Sequence, residues 1–240
     1  MKLYKTEQFE IEYDENLNLQ LVDLVKKLNE SIVDLFKLFD IKKFRKIKIV
    51  IFNDNDKFRN YIYHLRGENK SLPEYAKGVF DGGNIYFCID LYKNIDNKKL
   101  SQKIIHELFH IIYKELIWDK KYKKRIVWFD EGMAQYFSGE YNDVLYSEEK
   151  FELWFSKLLE DTKEIPILNN KTHQTSFVTE NYNGYKLSVL AIKYLYDTLG
   201  LDELKKLLHD EKKIIKYGKT IVIDSINYYK EKLNIKNRSF

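Results

Sequence analysis

The sequence predicts an α+β fold: a small mixed or antiparallel sheet with helices, followed by a mainly helical C-terminal lobe. Three observations lead there. Runs of strand-like character are confined to the residues before about 90. From there on, apolar residues recur at helical spacing. Only nine Gly and two Pro interrupt 240 residues, which favours long helices.

Residues 8–13 (QFEIEY) alternate apolar and polar and read as a strand. Over 17–39, Leu17, Leu21, Leu24, Val25, Leu28, Ile32, Leu35, Phe36 and Phe39 mark one face of an amphipathic helix. Residues 46–52 (KIKIVIF) form a second strand. Asn53 and Asp54 then offer capping oxygens to a helix running to about Leu65. A loop around Pro73 covers 67–77. Asp81-Gly82-Gly83-Asn84 is a turn signal between two apolar runs, so 78–90 read as a β-hairpin. Asn97 to about Trp118 is a helix with apolar residues on nearly every side, the pattern of a buried helix. Further helices are expected at 127–138, 147–160, 184–199, 201–209 and 219–233. One domain spans 1–240, with an α/β lobe over 1–118 and a helical lobe over 119–240.

Composition narrows the function. The chain is 44% hydrophobic and 15% aromatic, which is the profile of an ordered globular protein. With 41 basic and 37 acidic residues the net charge is +4, and lysine dominates, so nucleic-acid binding is not expected. The main basic run, KKYKKR at 120–125, reads as a solvated loop or helix start. The single cysteine, Cys88, excludes an intramolecular disulfide and falls in an apolar run (IYFCI), as a buried small hydrophobe would. No membrane-length apolar stretch and no signal-like N-terminus are evident, so a cytoplasmic protein is expected.

The chemistry is concentrated at residues 106–110, His-Glu-Leu-Phe-His. On a helix, His106 and His110 lie one turn apart on one face, where two imidazoles can grip one zinc ion. Glu107 beside them can act as base toward a zinc-activated water. A catalytic zinc takes three protein ligands and keeps a position open. Residues 128–137 (WFDEGMAQYF) offer the third: Glu131, separated from His110 by twenty intervening residues, with Asp130 its competitor.

HELFH followed by this Glu-Gly-x-Ala-x-Tyr segment resembles the gluzincin zinc metallopeptidases, and more narrowly the peptidase MA-like family. The resemblance implies a zincin-like fold with the active site between lobes. It implies one Zn2+ held by His106, His110 and Glu131, and Glu107 as general base. Gly132 and Ala134 match small residues that let the HExxH helix and the following helix approach. The stretch Tyr185 to Gly200, followed by LDELKKLL, fits a further family element. It makes Tyr185 the oxyanion donor, with Tyr182 in reserve. The strand before the HExxH helix, at Asn84, Ile85 and Tyr86, would be an edge strand that binds an extended peptide. Gln135 departs from the thermolysin pattern, which has an acid four residues after the ligand glutamate. That leaves the hydrogen-bond partners of the zinc histidines unassigned. His173 is expected in a loop, from which it could touch substrate.

The expected function is hydrolysis of a peptide or protein substrate. An endopeptidase is favoured because no Gly-x-Met-Glu-Asn run is present to capture a free amino terminus. Two alternatives are a catalytically silent zinc-binding or regulatory module of the same fold, and a zinc hydrolase acting on a non-peptide amide. Oligomeric state is not encoded in any pattern of the chain.

Overall fold

The computed structural model describes residues 1–15, 17, 20–67, 72, 76–90, 95–121, 125–170 and 176–234. It is α+β. The chain falls into two compact units, Met1–Ile111 and Ile112–Phe240. The division lies inside the helix that carries the HExxH motif. Among the described residues no helix is long and apolar enough to cross a membrane.

The first unit is built on a five-stranded mixed sheet of order β1-β2-β3-β5-β4. The strands are β1 (Lys2–Lys5), β2 (Phe9–Tyr13), β3 (Ile47–Phe52), β4 (Gly78–Asp81) and β5 (Asn84–Cys88). The two central pairings, β2–β3 and β3–β5, are parallel, while the outer pairings, β1–β2 and β4–β5, are antiparallel. Central β3 is apolar at almost every position because both of its faces are covered. In β2 the alternation separates two roles. Phe9 and Ile11 are fully buried, whereas Glu10 and Glu12 pair with Lys5 and Lys48 at 3.3 and 2.7 Å. The β4–β5 turn is Gly82-Gly83, whose φ values of 53° and 73° match the two-residue hairpin geometry that glycine tolerates.

Helices α1 (Leu21–Leu38) and α2 (Asn55–Arg66) precede the hairpin. The Asp54 side chain accepts from the Lys57 amide at 2.8 Å, so it caps α2 as the sequence suggests. Phe58 and Ile62 of α2 pack with Val50, Phe52, Tyr86 and Cys88 of the sheet in one buried cluster. Cys88 is a core residue with no exposure, as expected. The loop read over 67–77 falls largely outside the described residues.

The second unit is helical: α4 (Asp119–Lys121), α5 (Val127–Phe137), α6 (Asn142–Leu145), α7 (Glu148–Asp161), α8 (Gly184–Leu207), α9 (Glu211–Tyr217) and α10 (Ile221–Lys232). Helix α8 is two helices joined at Gly200, which has φ 79° and ψ 174°, so the break falls where the sequence places it. Residues Val127–Tyr136 of α5 are all buried. Trp128 anchors this helix by donating from its indole to the Asn169 side chain at 3.1 Å.

Helices α5 and α8 pack closely, and Gly132 is the reason they can. A Cβ at this position would lie 2.6 Å from the Ser188 carbonyl oxygen and 2.7 Å from Ile192 Cγ1. The sequence reading assigned the close approach of Gly132 to the HExxH helix. In the structure the nearest neighbours of Gly132 belong to α8.

Candidate metal centre

Helix α3 (Asn97–Tyr113) carries the HExxH motif. It begins at Asp96, whose carboxylate accepts from the Lys99 amide at 2.7 Å. Asn97 ties its first turn to α1 by donating to the Gln20 carbonyl and to Asp23, at 3.0 and 2.9 Å. Further along, Phe109 packs on Phe39 with ring centroids 5.3 Å apart. Leu100, Ile104, Ile105, Leu108, Phe109, Ile111 and Ile112 are all buried, which is the all-round burial that the apolar pattern implies. The helix is thereby held at its start and along its flank.

His106 and His110 project from one face, with ring centroids 4.8 Å apart and planes at 81°. Phe80 of β4 lies 5.6 Å from the His110 ring. His110 is buried, while His106 and Glu107 are half-buried. The regular helix ends at Tyr113, and Lys114–Trp118 continue as a π-helical turn instead of extending α3 to Trp118. Such widened turns are enriched near functional sites.

Glu131 sits early in α5, next to Asp130, and both side chains are buried. Asp130 is not a cap. The N-cap position is Ile126, and Asp130 instead pairs with the Arg125 Nε. Arg125 Nη2 donates to Glu131 Oε1 at 2.8 Å. Burial by itself would lower the Arg125 pKa, but the adjoining carboxylates of Asp130 and Glu131 outweigh it and raise the value above the ordinary one. Arg125 was read from sequence as the end of a solvated basic run. The available signal was an arginine five and six residues ahead of two acids at a helix start.

Among the described residues, His106, His110 and Glu131 form a group whose ligand atoms all lie within 4.8 Å of one another. Zinc–ligand bonds of about 2.1 Å in tetrahedral array separate donor atoms by roughly 3.4 Å. Two imidazoles and one carboxylate also form an established donor set for catalytic zinc. The three residues could hold a metal ion.

Other expected site residues are placed as follows. Tyr182 is buried and its hydroxyl donates to the Ser176 carbonyl at 2.7 Å, so its proton is engaged. Tyr185 is the second residue of α8, half-buried, and meets Phe177 edge-on at 4.8 Å. Gln135 is buried. His64 and His209 are exposed, and His173 lies outside the described residues.

Asn84, Ile85 and Tyr86 are not on an edge strand. Their strand, β5, lies between β3 and β4 in the sheet, and the edge belongs to β4. The hairpin folds β4 outward, which local alternation of residues does not reveal. Part of the polar capacity of β4 is already used, since Arg66 donates to the Phe80 carbonyl at 3.1 Å and pairs with Asp81.

No protein-family model matches the chain, and no curated protein matches its sequence.

Proposed function

We propose that the protein is a zinc-dependent peptidase of gluzincin type, with a zincin-like fold. The observation that carries this reading is the grouping of His106, His110 and Glu131 within 4.8 Å. Two of these residues are fixed to one another by helical spacing, but the third lies twenty intervening residues away, so its presence in the group is not imposed by the motif.

A zinc ion bound there would supply a Lewis acid that polarises a carbonyl and brings the pKa of water toward about 7. His106 and His110 would hold it through imidazole nitrogens, and Glu131 through its carboxylate. Glu107 accepts the proton of the attacking water and passes it to the nitrogen of the departing amine. Half-burial suits Glu107 to this work, because the group keeps access to the reacting molecules. Tyr185 is the proposed donor of a hydrogen bond to the developing oxyanion, with Tyr182 in reserve.

The test compares wild type with Glu107→Gln by metal analysis and by cleavage of a peptide library. One zinc per chain is expected in both proteins. Cleavage by wild type is expected to fall about 100- to 10,000-fold in the variant, the usual range for removing a general base. Zinc without cleavage in wild type would overturn the peptidase reading and leave a zinc-binding module. Cleavage of amides outside peptides alone would reassign the substrate. Equal cleavage by both proteins would remove Glu107 from the mechanism.

A further inference from the structure

We propose that Arg125 is a positioning residue for the metal-binding carboxylate of Glu131, and that Asp130 fixes Arg125 in that role. This inference rests on the assignment of Glu131 as a zinc ligand.

The three side chains are deeply placed: 18% of Arg125, 2% of Asp130 and 7% of Glu131 remain exposed. The guanidinium engages both acids. Nε engages Asp130, and Nη2 engages Glu131 Oε1 at 2.8 Å. A planar fork held at one corner by a buried carboxylate has little rotational freedom, so its second corner fixes the orientation of the Glu131 carboxylate plane.

A role limited to charge and a role in positioning differ in what lysine can replace. Lysine keeps the charge but lacks the rigid fork. The experiment therefore uses Arg125→Lys, Arg125→Met and Asp130→Asn. Zinc affinity is measured by chelator competition, the absorption bands of the cobalt-substituted proteins are recorded, and metal-free thermal unfolding is followed for each. All three variants are expected to bind zinc roughly 10- to 100-fold more weakly than wild type, the usual effect of removing a group that orients a ligand. Altered cobalt bands should accompany this, because the ligand geometry changes. If Arg125→Met does not fold, the lysine and asparagine variants carry the test. Wild-type affinity and wild-type cobalt bands in Arg125→Lys would overturn the proposal, as would tighter zinc binding by Arg125→Met. Failure of wild type itself to bind zinc would instead sink the metal assignment, and this proposal with it.

Discussion

Replacing Gly132 with alanine tests the packing on which the Glu131 helix depends. The added methyl would stand 2.6 Å from the Ser188 carbonyl oxygen and 2.7 Å from Ile192 Cγ1. Ordinary contact begins near 3.4 Å, so α5 and α8 must part by roughly 0.7–0.8 Å. The Ile192 side chain can adjust, but Ser188 contributes backbone within a helix and cannot swing aside. Overpacking of this kind costs about 1–3 kcal/mol, and a backbone obstacle places it near the top of that range. Alanine's better helix propensity offsets about 1 kcal/mol. The net loss is about 2 kcal/mol, which in a chain of this size lowers Tm by roughly 4–8 °C. Differential scanning calorimetry of the metal-free protein measures it directly. Glu131 precedes Gly132, so chelator competition should show weaker zinc binding as well. A Gly132→Ala protein as stable as wild type, or more stable, would mean that α5 and α8 do not approach as described.

Two further outcomes follow from buried groups. Burial pushes the Tyr141 hydroxyl up to about 12 and raises Tyr136 and Tyr229 as well. Their folded pKa values lie above the unfolded value near 10, so their stabilising contribution is complete below about pH 10 and is lost as the pH rises toward 12. Thermal unfolding from pH 8 to 12, read with tyrosinate absorbance, should show Tm falling above pH 10; a constant Tm across that span would contradict the burial of these rings. Gln135→Glu places a third buried acid beside Asp130 and Glu131, one helical turn beyond Glu131, so it should lower metal-free stability by about 1–3 kcal/mol in chemical denaturation at pH 7. A stability equal to wild type would show that position 135 has access to solvent or to a cation.

Local pattern was enough for most of the elements. Strand β3, helix α2 and the Gly82-Gly83 hairpin each carry their signal within a few consecutive residues, as alternation, a cap or a turn pair. Strand β1 does not. Its sequence, KLYK, has little apolar content and is mostly exposed, and its four residues are extended because β2 offers them a ladder. The order of strands is equally hidden. The hairpin was visible, but which of its arms faces β3 depends on packing across more than thirty residues of chain, as in the Ile49–Ile85 register. That is why the edge was assigned to β5 and belongs to β4. Helix α1 shows the opposite error: the apolar period extends back to Leu17, yet the helix starts at Leu21.

The candidate site divides along the same line. His106, Glu107 and His110 belong to one helix, so helical geometry alone places them together. Glu131 was legible through the residues around it, though its membership of the group depends on the folded chain. Arg125 was not legible, because in sequence it closes a run of lysines and tyrosine that reads as solvent-facing. Its meaning changes only when α5 forms. Ile126 then becomes the N-cap, and the residue before it lies across the first turn, within reach of the acids at positions 130 and 131. A charge run thus lost one member to the interior. The physical reason is that two adjacent buried carboxylates require a cation, and Arg125 is the cation that the start of the helix places beside them.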